Sequence, residues 1–115
     1  RSEYGGSMLA GLFGSETAEK VILYLAYVGE GHIRGLATNF EISPGQVDRT
    51  VKRLEAEGLI VAKQVGRTRV FQLNPTLVVK RELVALADKA ISAMPEGERE
   101  KYIQRSRPRK TGKRL

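Results

Sequence analysis

The chain has 115 residues, 41% of them hydrophobic, with a formal net charge of +7 and no cysteine. That length suits one domain around a single core, and the lack of cysteine excludes disulfides and thiolate metal sites and fits a reducing, cytoplasmic compartment. No apolar run approaches the roughly 18 residues of a membrane span, and 6% aromatics is a poor basis for a single-strand surface built on base stacking.

The charge is unevenly placed. Residues 101 to 115 carry seven cations and no acid, so the remainder of the chain is neutral. Within that neutral remainder, residues 43 to 81 hold eight cations against three acids, between acidic flanks. A basic middle between acidic ends is a placed patch, and nucleic acid is the first polyanion to consider.

In chain order, residues 1–7 (RSEYGGS) read as an expression scar and are set aside. Leu9, Leu12 and Phe13 are expected to form a short helical turn packed on the domain or on a partner chain. Ser15 is placed as N-cap of the first long helix, with Glu16 and Glu19 at its positive end. Val21, Tyr24, Leu25 and Val28 repeat at helical spacing on one face, and Gly29 and Gly31 stop the helix. The glycines of residues 29–35 mimic a dinucleotide loop, but their spacing is wrong and they follow a helix, so a turn is the better reading. His32, the one histidine, reads as a surface polar residue or a phosphate contact at the start of the next helix, about Ile33 to Asn39.

Residues 42–60, ISPGQVDRTVKRLEAEGLI, carry the most information. Ser43 as N-cap, Pro44 at the first helical position and Gln46 two residues later make a capping box. Val47, Val51 and Leu54 face inward, and Gly58 suits a left-handed residue just past the end. Advancing about 100° per residue from Val47 puts Arg49 near 200°, Lys52 near 140°, Arg53 near 240° and Gln46 near 260°. These four form the outward face, with Gly45 allowing close approach. Arginine can bond guanine bidentately and glutamine adenine in a major groove, so Gln46, Arg49 and Arg53 are the candidate base readers. Lys52 and the helix start suit phosphates.

Residues 59–65 and 69–73 then read as a two-stranded hairpin around Gly66-Arg67-Thr68, with Phe71 and Leu73 on one face and Val70 and Gln72 on the other. Its basic tip can reach a neighbouring minor groove or the backbone. Ser43, Thr50, Lys52, Arg67, Thr68 and Arg69 are therefore the candidate backbone or minor-groove contacts. Asn74-Pro75 is expected to cap a last helix from about Thr76 to Ala93, broken by Pro95-Glu96-Gly97. Its wide apolar stripe either packs within the chain or meets a second copy. The expected interface is Leu83, Leu86 and Ile91 with Leu9, Leu12 and Phe13. Residues 95–115 are read as a basic tail with one further helical turn, disordered from Ser106 onward, serving as an arm on DNA, a linker or a docking segment.

Helix, helix, helix, hairpin, helix is the order of an α+β, mostly helical winged helix-turn-helix, here residues 8–74 with a C-terminal helix over 75–94. The segment from Glu16 to Leu73 resembles the winged-helix domains of ArsR-like and MarR-like prokaryotic regulators, on "ISPGQVDRTVKRLEAEGLI" followed by "VGRTRVFQLNP". The resemblance covers about 60 of 115 residues. It implies a homodimer that binds double-stranded DNA, reading it with the third helix and gripping the backbone with the wing. ArsR-type metal sensing is not implied, because the Cys or His cluster it needs is missing. The expected partners are thus duplex DNA and a second copy, with no metal, cofactor or membrane. A protein-interaction module, or the DNA-binding portion of a larger protein, is the alternative. A nucleophile–base pair or a facing carboxylate pair is not discernible, so no enzyme activity is expected.

Overall fold

The computed structural model describes residues 9–103. Its elements are α1 (Ala10–Phe13), α2 (Glu16–Val28), α3 (Ile33–Phe40), α4 (Pro44–Ala56), β1 (Ile60–Val65), β2 (Thr68–Leu73), α5 (Lys80–Ser92), α6 (Glu96–Arg99) and a 3-10 turn (Glu100–Tyr102). This is an α+β winged helix-turn-helix. The expected scar and the expected disorder from Ser106 onward lie outside the described residues.

α2 is the centre of the fold. Ser15 caps it by accepting a bond from the Ala18 amide at 3.0 Å. The sequence assigned it one apolar face, but Ala18, Val21, Ile22, Leu23 and Leu25 are all buried. The reason is that α1, α4, α5, β2 and the 3-10 turn all pack around it. A helix surrounded in this way buries residues around most of its circumference, leaving only the side of Glu16 and Tyr27 exposed, and loses its simple stripe.

α4 keeps its sequence signature. Ser43 Oγ accepts from the Gln46 amide at 3.2 Å, Pro44 sits in the first turn, and Val47, Val51 and Leu54 are buried. Gly58 closes the helix with φ +83°, and the Leu59 amide bonds back to the Leu54 carbonyl. The hairpin turns on two residues, Gly66 and Arg67, between the paired Val65 and Thr68. Gly66 has φ +61°, which matches a type II′ hairpin turn with glycine at its first corner.

Three expectations change. Val70 is buried along with Phe71 and Leu73, so the second strand is not two-faced. Gly31 adds a one-residue bridge to β2, with both amide–carbonyl bonds to Phe71 formed at 3.0 and 2.8 Å, and Val70 lines a small pocket with Tyr24, Gly31, His32 and Leu36. The last helix starts at Lys80 rather than Thr76. Asn74 spends its side chain on an Asx turn, accepting from the Thr76 amide at 3.0 Å while donating to the Gly58 carbonyl at 2.9 Å. That bond ties residues 74–79 to the end of α4, and they pass as successive turns. The third change is at the tail. Residues 95–103 belong to the domain: Tyr102 is 4% exposed, its ring 5.2 Å from that of Phe40, and the Lys101 carbonyl accepts from Asn39 at 2.6 Å.

Glu19, placed by sequence at the positive end of the helix, is only 3% exposed. Burial lifts its carboxyl from 4.5 to about 7, opposed by Lys20 and the Leu9 amide and reinforced by Glu16 and Glu98. Burial, with the Glu19 and Glu98 carboxylates, pushes the Tyr102 hydroxyl up as well. The folded state therefore holds a proton on Glu19 that the unfolded chain releases above 4.5. Stability should fall as pH rises from 4.5 to about 7 and then level off, by on the order of 3 kcal/mol. Denaturant unfolding across this range should show the slope in the wild type and a flat line in Glu19→Gln.

Candidate nucleic-acid interface

The outward face of α4 is the one the helical wheel gave. Gln46, Arg49, Lys52 and Arg53 are exposed, while Val47, Val51 and Leu54 are each 1% exposed. The helix is anchored from below by apolar contacts with α2 and α3. An added Cβ at Gly45 would meet only the Arg49 guanidinium at 3.6 Å, which leaves that corner of the helix start open to a close neighbour.

The side chains on this face are differently committed. Arg49 has no hydrogen-bond or ion-pair partner among the described residues. Lys52 pairs with Asp48 one turn back at 3.2 Å, both well exposed. Such a pair is worth about 0.3–0.5 kcal/mol, too little to hold Lys52 from a stronger anion. Gln46 was expected to reach back and complete the capping box. Its Nε2 instead donates to Thr17 Oγ1 at 2.8 Å, fastening the start of α4 to α2. The carboxamide oxygen is then the atom it can present outward.

Arg53 and Arg69 depart further from expectation. Arg53 donates to the Phe13 carbonyl at 3.3 Å and stands 4.0 Å from a Glu57 oxygen. It leans toward the α1–α2 joint. Arg69 is a brace rather than a free wing cation. It bonds Glu55 on α4 at 2.9 Å and lies over the Phe71 ring at 5.3 Å. Lys63 on β1 does likewise with Glu30 at 3.7 Å. The wing thus carries two ion pairs, from Arg69 and Lys63 in the second and third residue pairs from the turn, while the side chains of Arg67 and Thr68 at its tip are exposed and have no hydrogen-bond or ion-pair partner among the described residues.

His32 is neither bystander nor free ligand: its Nδ1 accepts from the Gly35 amide at 3.1 Å and caps α3. Sequence could have found this from its position at the helix start, but histidine is an uncommon N-cap. Among the described residues no group of three or more His, Cys, Asp or Glu is placed to hold a metal, and no helix is long and apolar enough to cross a membrane.

No protein-family model matches the chain, nor does any curated protein. Among solved structures it is similar to a double mutant of ZitR from Lactococcus lactis in its apo form. The identity is 25% and the TM-score 0.51, over 64% of this chain and 58% of that one. The chain therefore spans less than two thirds of ZitR's length. The likeness supports a winged-helix regulator fold.

On the expected dimer surface, Ile91 is buried in the chain's own core, and Leu9, Phe13 and Leu83 pack against that core. Leu12 is 67% exposed and Leu86 half-buried. Intramolecular packing therefore takes up most of the stripe that the sequence offered to a second copy.

Removing either end of the Glu55–Arg69 strut should cost less than about 1 kcal/mol, as for exposed pairs. A double-mutant cycle of Glu55→Ala and Arg69→Ala, read by denaturant midpoints, should give a coupling of about 0.3–1 kcal/mol. Amide exchange should quicken in β1 and β2 while α2 is unchanged.

Proposed function

We propose that the chain binds double-stranded DNA with sequence preference and acts as a dimeric transcriptional regulator. The observation that carries this reading is the pairing of Arg49, exposed and unpartnered on α4, with the exposed wing tip Arg67-Thr68 on the same basic segment. A helix of 13 residues with a flat polar face fits a major groove. Arg49 and the Gln46 carboxamide oxygen meet base edges. Ser43, Thr50 and Lys52 take phosphates beside the helix, and Arg67 and Thr68 take the backbone or the next minor groove. The weak Asp48–Lys52 pair opens at little cost when a phosphate arrives. A second copy placing its own α4 about 34 Å away gives a palindromic site, with Leu12 and Leu86 at the contact.

A protein-binding role is favoured by a different observation: Val78, 94% exposed, stands with Val79 and Val84 beside the start of α5. Titration with random duplex at two salt concentrations separates the two readings. Affinity that falls steeply with salt supports DNA; absence of duplex binding at low salt rejects it. With a duplex selected from a random pool, Arg49→Ala should cost about 1–3 kcal/mol on the selected site alone, and Lys52→Ala should weaken all sequences equally. Equal losses for both variants on both duplexes would contradict the division of roles.

A further inference from the structure

Between α4 and the joint of α1 and α2 lies an open cavity of about 360 Å³, lined by Gly14, Ser15, Arg49, Thr50 and Arg53. Its charged lining residues are both arginines; no carboxylate lines it. We propose that this cavity is a phosphate site, with Arg53 and Thr50 as its ligands and Arg49 along its rim. The proposal rests on the duplex reading and changes what Arg53 does within it, from reading a base to fixing register on the backbone.

Arg53 is placed there but poorly satisfied. Its bond to the Phe13 carbonyl, at 3.3 Å, and its approach to Glu57, at 4.0 Å, are both long, when charge-assisted bonds favour about 2.7–2.9 Å. A guanidinium has five N–H donors in a rigid fork that matches phosphate oxygens, so most of its donor capacity is left over. The Thr50 hydroxyl has no partner among the described residues and lines the same cavity.

The wall opposite Arg53 is main chain. Gly14 has φ +106°, and an added Cβ would stand 3.2 Å from the Arg53 Nη1. The joint therefore admits the guanidinium at a distance that a side chain there would crowd. The contact to Phe13 also draws the Arg53 guanidinium toward the α1–α2 joint beside Gly14. A group so tethered meets a sugar–phosphate strand running past the helix sooner than a base edge in the groove floor. Phosphate contacts of this kind set orientation without carrying sequence information.

The chemistry recognised is a phosphate oxyanion, which a DNA phosphodiester or a free phosphate can supply. Two measurements on the full chain separate these sources. The first is the dependence of random-duplex affinity on salt for wild type, Arg53→Ala and Arg53→Lys. Arg53→Ala should lower the log–log slope by about 1 and weaken selected and random duplexes by the same factor. Arg53→Lys, which keeps the charge, should retain the slope. The second is the thermal unfolding midpoint in inorganic phosphate against chloride at matched ionic strength. A midpoint raised by phosphate in wild type but not in Arg53→Ala assigns the site to free phosphate as well. A loss confined to the selected duplex, or no change in either measurement, overturns the site. If the chain binds no duplex yet keeps Arg53-dependent protection by phosphate, the duplex reading falls and the site stands.

Discussion

The burial of α2 around most of its circumference, with only the side of Glu16 and Tyr27 left exposed, is the constraint on which the other elements depend. Its apolar residues are the common surface on which α4, α5, β2 and α1 meet. Burying each large side chain contributes about 1.5–3 kcal/mol, several times what any surface ion pair supplies. The position of α4 is accordingly set from inside, by Val47, Val51 and Leu54 against this core. Its outward side chains are then free to vary in partner without moving the helix. The bond from Gln46 to Thr17 adds a directional tie at one end, where apolar packing alone leaves rotation about the helix axis loosely fixed.

The same central helix carries the fold's main polar cost. Glu19 and Thr17 are buried beside apolar neighbours. Thr17 is satisfied by Gln46. Glu19 is accommodated by keeping its proton up to about pH 7, under the main chain of Leu9 and near Tyr102 and Glu98. Both ends of the described chain thus close over one ionisable group. Through Asn39 and Phe40 the segment around Tyr102 also rests on α3, so the helix that precedes α4 is held from two sides.

Around this rigid centre the polar surface is sorted by strength of commitment. Arg69 and Lys63 fasten the wing, Lys52 is lightly held, Arg53 is held loosely against α1, and Arg49 and Arg67 are uncommitted. In the proposed duplex-binding role this ordering matters, because unpaired cations meet a polyanion without first breaking a bond. A cation count taken along the chain treats all of these residues alike.

By itself the sequence determined the local elements whose signals sit within a few residues. The Ser43-Pro44 start, the Gly58 stop, the Val47–Val51–Leu54 stripe and the Gly66 turn depend on backbone geometry and short-range bonds, and each is found where it was expected. So is the outward face of α4, because helical periodicity fixes direction once the buried side is known. Only the tertiary structure decided the burial of Glu19 and Val70, the core position of Tyr102, the late start of α5, and the partners of Gln46, Arg53 and Arg69. Each of these depends on groups far apart in the chain, such as Thr17 with Gln46, Phe13 with Arg53 and Gly31 with Phe71. A side chain's reach and its competition among partners are set by the packed arrangement, and no periodicity in the sequence encodes them.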